Sequence, residues 1–188
     1  MIKAIIFDFF GVLSTEGFRV FRNKYFEDSP KRALSQRLMD QHTLGNLSYE
    51  VFVEKLSKLA GVTTEVADDY LGKNKPNEPL IDFIRERLKP HYKIGVLSNA
   101  GADWMHESFA KEDIELFDDI VVSYHFGLNK PNEEIYELTA RRLKVEPSEC
   151  VFVDDIGRYC GAARAVGMET ILYEDFPQMK NDLEKLLG

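Results

Sequence analysis

Disulfide potential, long apolar runs and excess positive charge are all scarce in this chain. Two cysteines in 188 residues, Cys150 and Cys160, are too few for a disulfide framework, and both fall in stretches that read as core strand or helix. A reducing, cytoplasmic setting is the expectation. No apolar run approaches the roughly 20 residues that cross a bilayer. The N-terminus carries one lysine and a short apolar stretch before Asp8, which reads as a strand and not as a secretion signal. Twenty-four basic residues stand against 32 acidic ones, for a net charge of -8. Nucleic acid and anionic membrane both need clustered basic surface, so neither is expected as a partner. A local basic pocket for a small anion remains compatible with that balance. Internal repeats and low-complexity tracts are absent as well.

What is present is ordinary globular composition, 44% hydrophobic and 30% charged. Short apolar runs recur: "KAIIFDF", "YKIGVLSNA", "DDIVVSY", "CVFVDD" and "ETILY". Near-continuous Val, Ile and Phe predicts strands buried on both faces, as in a parallel sheet covered by helices. Helical periodicity fills the gaps, with Leu80, Phe83, Ile84 and Leu88 on one stripe and Ile135, Leu138 and Leu143 on another. Two further helices are read in "GRYCGAARAVGM" and in the closing "FPQMKNDLEKLLG". This alternation predicts a doubly wound α/β domain.

Residues 14–80 break the rhythm with four consecutive helical patterns. Ser29-Pro30 and Thr63-Thr64 read as helix starts, and Gly45, Gly61 and Gly72 as stops. An insertion straight after strand one reads as a cap over the carboxyl edge of the sheet, where open α/β sheets bind ligands. The expected division is a core of residues 1–13 and 81–188 with a helical cap at 14–80.

Four polar signals fall at or near strand ends: Asp8, Ser98-Asn99, Lys130-Pro131 and Asp154-Asp155. Each has a bland reading as a turn acceptor, a helix cap or a first-turn proline. Two adjacent acids at a buried strand end are costly without a cation, however. Acids, hydroxyl and cation converging on one crevice suit a phosphate-sized substrate, with carboxylates able to hold Mg²⁺.

"IFDFFGVL", "VLSNA", "GLNKPNEEIYELTARRL" and "VFVDDIGRYCGAARAVGMETILY" together resemble, in order, the four motifs of the haloacid dehalogenase-like (HAD) hydrolase superfamily. The helical insert resembles the small cap of its first subfamily. The "DDIG" form of motif four resembles the phosphatase domain attached to some epoxide hydrolases. The resemblance implies a Rossmannoid, five-stranded parallel sheet with strand one central. It implies Asp8 as the nucleophile, Ser98 and the Asn99 backbone on the phosphoryl oxygens, and Lys130 balancing the charge. It implies Mg²⁺ held by Asp8, Asp155 and the Phe10 carbonyl, with Asp154 acting through water or from behind. The activity implied is Mg²⁺-dependent hydrolysis of a small phosphorylated metabolite.

Phe10 departs from that pattern, because most family phosphatases carry there a second aspartate that moves the proton. His125 or a cap residue is a candidate to carry it instead, although His125, between Tyr124 and Phe126, reads first as a packed loop histidine. Two other chemistries stay open: a dehalogenase-like hydrolase without metal, which needs an apolar halide pocket in the cap, and a phosphonatase-like cleavage using a Schiff-base lysine among Lys24, Lys31 and Lys55. A catalytically impaired binding or regulatory protein on the same scaffold is the third alternative. Tyr159 is a second departure, standing where a polar residue often orients the metal site. His42, His91 and His106 read as surface or boundary residues, and Trp104 with Met105 as helix packing. Phe18, Phe21, Tyr25 and Phe26 read first as the cap's own core, the alternative being an aromatic lining beside Phe10 that would favour an apolar or aromatic substrate.

Overall fold

A computed structural model describes residues 1–27, 30–101 and 109–188. Ser29, Trp104, Met105 and His106 lie outside the described residues. Five strands form one all-parallel sheet in the order β3-β2-β1-β4-β5: β1 Ala4–Phe7, β2 Lys93–Ser98, β3 Asp119–Val122, β4 Cys150–Asp154 and β5 Glu169–Leu172. Strand one is central, as the resemblance implied, pairing Ala4 with Lys93 on one side and with Cys150 on the other.

Alternation along each strand divides the core in two. Ile5, Phe7, Ile94, Val96, Val151 and Val153 face one apolar layer, while Ala4, Ile6, Leu97, Cys150 and Phe152 face the other. The first layer is completed by α5 (Glu78–Phe83), which runs on as a π-helical turn at Ile84–Leu88, and by α10 (Phe176–Leu187). The second is completed by α8 (Glu133–Arg142) and α9 (Gly157–Ala165). Both cysteines are free and buried, and burial pushes their thiols up to about 12 at Cys150 and about 11 at Cys160. No helix among the described residues is long and apolar enough to cross a membrane.

The four helical patterns of the insertion become α1 (Gly17–Phe26), α2 (Lys31–Thr43), α3 (Tyr49–Ala60) and α4 (Thr64–Leu71). They enclose an apolar cluster of their own around Phe18, Phe21, Phe26, Phe52 and Leu56. The chain leaves and re-enters the sheet domain side by side: Thr15 N–H donates to Lys75 O (3.0 Å) and Asn77 N–H to Leu13 O (2.8 Å). Helix α5 already belongs to the sheet domain, since Leu80 and Ile81 lie in its core.

Two local expectations are corrected. The third strand stops at Val122, and Ser123–Phe126 form a one-turn helix, α7, after the short α6 (Lys111–Ile114). The Ser123 hydroxyl accepts from Ala100 N–H (3.1 Å) and donates to Thr43 O (2.7 Å), so it ties the strand end to the cap and turns the chain. His42 is buried, not a surface or boundary residue: its ring stacks on Phe52 at 4.9 Å and lies against Gly101, where any side chain would overlap it.

Candidate active site

Every expected site residue lies at or beyond the carboxyl edge of the sheet because the strands are parallel and in register. Asp8 follows β1, Asp154 ends the neighbouring β4, Ser98 ends β2, and Lys130 lies in the loop before α8. Asp8 is 5% exposed and Asp154 fully buried. Lys130 Nζ sits between them, 2.8 Å from Asp8 Oδ1 and 2.7 Å from Asp154 Oδ2. Its ammonium is also held over the rings of Tyr159 (5.0 Å) and Phe152 (5.4 Å).

Three buried charges within hydrogen-bond reach perturb one another. Burial pushes the Asp8 carboxyl well above the ordinary carboxylate range; Lys130 pulls it back and Asp154 adds to the rise. Burial likewise raises Asp154, against the pull of Lys130. Burial alone would make Lys130 easier to deprotonate, but Asp154 and Asp8 outweigh it and keep the ammonium charged.

The two oxygens of Asp8 are not equivalent. Oδ1 accepts from Phe9 N–H (2.7 Å) and from Lys130, whereas Oδ2 carries no hydrogen bond among the described residues. The carboxylate is therefore held by one oxygen, and the other is uncommitted. Asn99 works through its side chain: its amide donates to Lys130 O (2.9 Å) and accepts from Lys130 N–H (2.8 Å), so it clamps the loop that delivers the lysine.

Asp8, Asp154 and Asp155 bring carboxylate oxygens within 4.8 Å of one another. Ser98 Oγ and Asp155 Oδ1 are buried with no hydrogen-bond partner among the described residues. The donor set is all oxygen and anionic, which fits a hard divalent cation, and the Ser98 hydroxyl is free to meet an anion. Tyr159 touches none of these carboxylates; it lies over Lys130, with its hydroxyl 3.0 Å from Arg158 Nη2. Phe10 lines the cavity, edge-on to Phe9 at 4.8 Å, and contributes no ionisable group.

Sequence reasoning missed the cap's contribution. Arg19 of α1 bonds Asp155 and places Nε 2.6 Å from Glu16 Oε2, linking the cap to the acid cluster. The cavity of about 370 Å³ continues from Asp8 into the cap, where Arg22, Arg32, Gln36 and Asn23 line it. Phe18, Met39, Phe52 and Leu71 line that end too, so basic and apolar groups share it. Neither His125 nor any of Lys24, Lys31 and Lys55 lines the cavity.

Gly11 explains how the loop after β1 can pass so close. Its φ is +91°, and a Cβ there would run into the Asp155 carboxylate and the Arg19 guanidinium. Gly11→Ala is expected to destabilise the fold by about 1–3 kcal/mol through backbone strain alone, and to displace Asp155 as well. Urea unfolding together with divalent-cation titration checks both effects; unchanged values in each would show that the loop adapts freely.

An α/β core with four strand-end acids and cations under a helical cap defines a hydrolase class that the comparisons identify. The family model "haloacid dehalogenase-like hydrolase" matches residues 2–167, and the chain belongs to that family. Over 131 residues it is 32% identical to bifunctional epoxide hydrolase 2 of Sus scrofa, covering 65% of this chain but only 23% of that protein's length. It is 29% identical to D-ribitol-5-phosphate phosphatase of Bacteroides thetaiotaomicron over the full length of both. In structure it resembles a HAD family enzyme from Bacteroides thetaiotaomicron solved as a magnesium complex, with a TM-score of 0.74 at 21% identity, covering 95% of this chain and 98% of the other.

Proposed function

We propose that the protein is a Mg²⁺-dependent phosphatase of small phosphomonoesters that uses Asp8 as its nucleophile. The observation that carries this reading is the asymmetry of Asp8, with Oδ1 fixed by Phe9 and Lys130 and Oδ2 free beside two further carboxylates. The phosphatase names among its relatives support the same chemistry. Asp8, Asp155 and the Phe10 carbonyl would hold the Mg²⁺, with Asp154 behind them, and the ion would offset the charge of the phosphoryl group.

In this scheme Asp8 Oδ2 forms a bond to phosphorus as the bond to the leaving oxygen breaks. Ser98 Oγ, buried and unpartnered, donates to a phosphoryl oxygen, together with the Asn99 backbone. Lys130 keeps Asp8 Oδ1 in place and balances the negative charge that gathers there. A water oxygen then attacks phosphorus, the Asp8–phosphorus bond breaks and the carboxylate returns. One water proton ends on the alcohol and the other stays with phosphate. Phe10 cannot carry that proton, so turnover depends on how readily the alcohol leaves.

Phe10→Asp tests this directly. It is expected to raise turnover of alkyl phosphates by about 10²-fold or more, since general acid–base help is worth 10²–10⁴-fold. The gain should be much smaller for para-nitrophenyl phosphate, whose leaving group needs no proton. An equal gain on both substrates would place the deficit elsewhere, and Mg²⁺-independent phosphate release would count against the reading as a whole.

A further inference from the structure

Two arginines at the cap end of the cavity form no ion pair among the described residues, a costly arrangement for half-buried guanidiniums. Arg22 of α1 and Arg32 of α2 both line the cavity that reaches Asp8. Arg22 donates through Nη1 to Gln36 Oε1, and Arg32 through Nη2 to Asn23 Oδ1 (3.1 Å). Those bonds aim the two groups and leave Arg22 Nε and Arg32 Nη1 buried and unpartnered. The nearby acid is engaged elsewhere: Asp40 Oδ1 accepts from Gln36 Nε2 at 2.9 Å. Burial and then the neighbouring Arg32 make Arg22 easier to deprotonate than a free arginine, against the pull of Glu16 and Asp40. The Arg22 guanidinium also rests 5.3 Å from the centre of the Phe18 ring, which fixes its plane.

We propose that Arg22 and Arg32 form an anion subsite that binds a carboxylate on the substrate, so that the preferred substrate is a small phosphomonoester bearing a carboxylate at its far end. The proposal rests on the phosphatase reading for the other end of the same cavity. The guanidiniums of Arg22 and Arg32, which line the cavity from two helices, supply the charge-assisted donors, and Gln36 and Asn23 hold them in position. The cap thereby selects the substrate by charge, while Asp8 and Lys130 act on its phosphoryl group.

Calorimetric binding to Asp8→Asn protein with Mg²⁺ tests this without turnover, using inorganic phosphate, glycerol 3-phosphate and 3-phosphoglycerate. The carboxylated ligand is expected to bind about 30-fold tighter than glycerol 3-phosphate, the range charge-assisted bonds supply. Adding Arg22→Gln or Arg32→Gln should erase about fivefold of that preference each while leaving phosphate affinity unchanged; Arg22→Lys, which keeps the charge, should retain part of it. Equal affinity for the two organic phosphates, or a preference that survives both glutamine changes, would overturn the subsite. Binding of 3-phosphoglycerate alone, with phosphate and glycerol 3-phosphate silent, would fail the phosphate-site reading and spare the arginines. Silence from all three would end both.

Discussion

Asp8→Asn is expected to cut Mg²⁺-dependent phosphate release by roughly 10⁴-fold or more while leaving the protein at least as stable as the parent. The first half follows from chemistry: an amide oxygen is a poor nucleophile, Asp154 has both oxygens engaged by Lys130 and Ile156 N–H, and Asp155 would be taken up by the cation. The second half follows from electrostatics. Burial and Asp154 make the ionised Asp8 side chain unfavourable where it stands, which is why its carboxyl is pushed upward. Asparagine removes that charge and keeps an oxygen for Phe9 N–H. Lys130 remains paired with Asp154. Activity and stability should therefore part company, as they do where a site is strained for function. Phosphate-release assays and thermal melts at pH 8 measure the two arms. Residual turnover within about tenfold of the parent would mean that another group attacks phosphorus.

Lys130→Met should have the largest effect on stability, about 3–5 kcal/mol, because it strands two buried carboxylates without their cation. Methionine fills a similar volume and can lie against Phe152 and Tyr159, so the loss reports charge and not a cavity. The pH dependence has a definite sign. Without Lys130, the folded-state values of Asp8 and Asp154, already raised by burial, rise further above their unfolded values. The folded variant then binds more protons than the unfolded chain, so its stability increases as pH falls through those raised values. Urea unfolding from pH 8 to pH 5 should show the deficit of the variant shrinking. A deficit constant across that range would mean the loss is steric.

The strands, the helices and the reacting residues were readable because each has a local signal: apolar runs, helical periodicity, and polar residues at strand ends. Asp8, Ser98, Lys130 and the Asp154-Asp155 pair meet in space because parallel strands bring their carboxyl ends together, and that follows from the fold class alone. The role of the Asn99 side chain was not readable, since its two bonds to the Lys130 backbone join loops far apart in sequence. Arg22 and Arg32 were hidden for a different reason. On isolated helices each looks like part of a solvated face; only the way α1 and α2 close over the sheet turns those faces inward. His42 gave no sign of burial because its partners, Phe52 and Gly101, come from another helix and from the segment after β2.

The central position of β1 bears on how the chain is made. Ala4–Phe7 precedes the other strands of its sheet along the chain, yet its neighbours begin at Lys93 and at Cys150. The cap helices, whose contacts are among residues close in sequence, can form while that strand is still alone. An Ala-Ile-Ile-Phe segment with both edges unpaired is aggregation-prone for as long as it waits. The strand that leads into Asp8 is thus made well before the partners on either side of it, and the nascent chain is most vulnerable at the strand on which the candidate site is built.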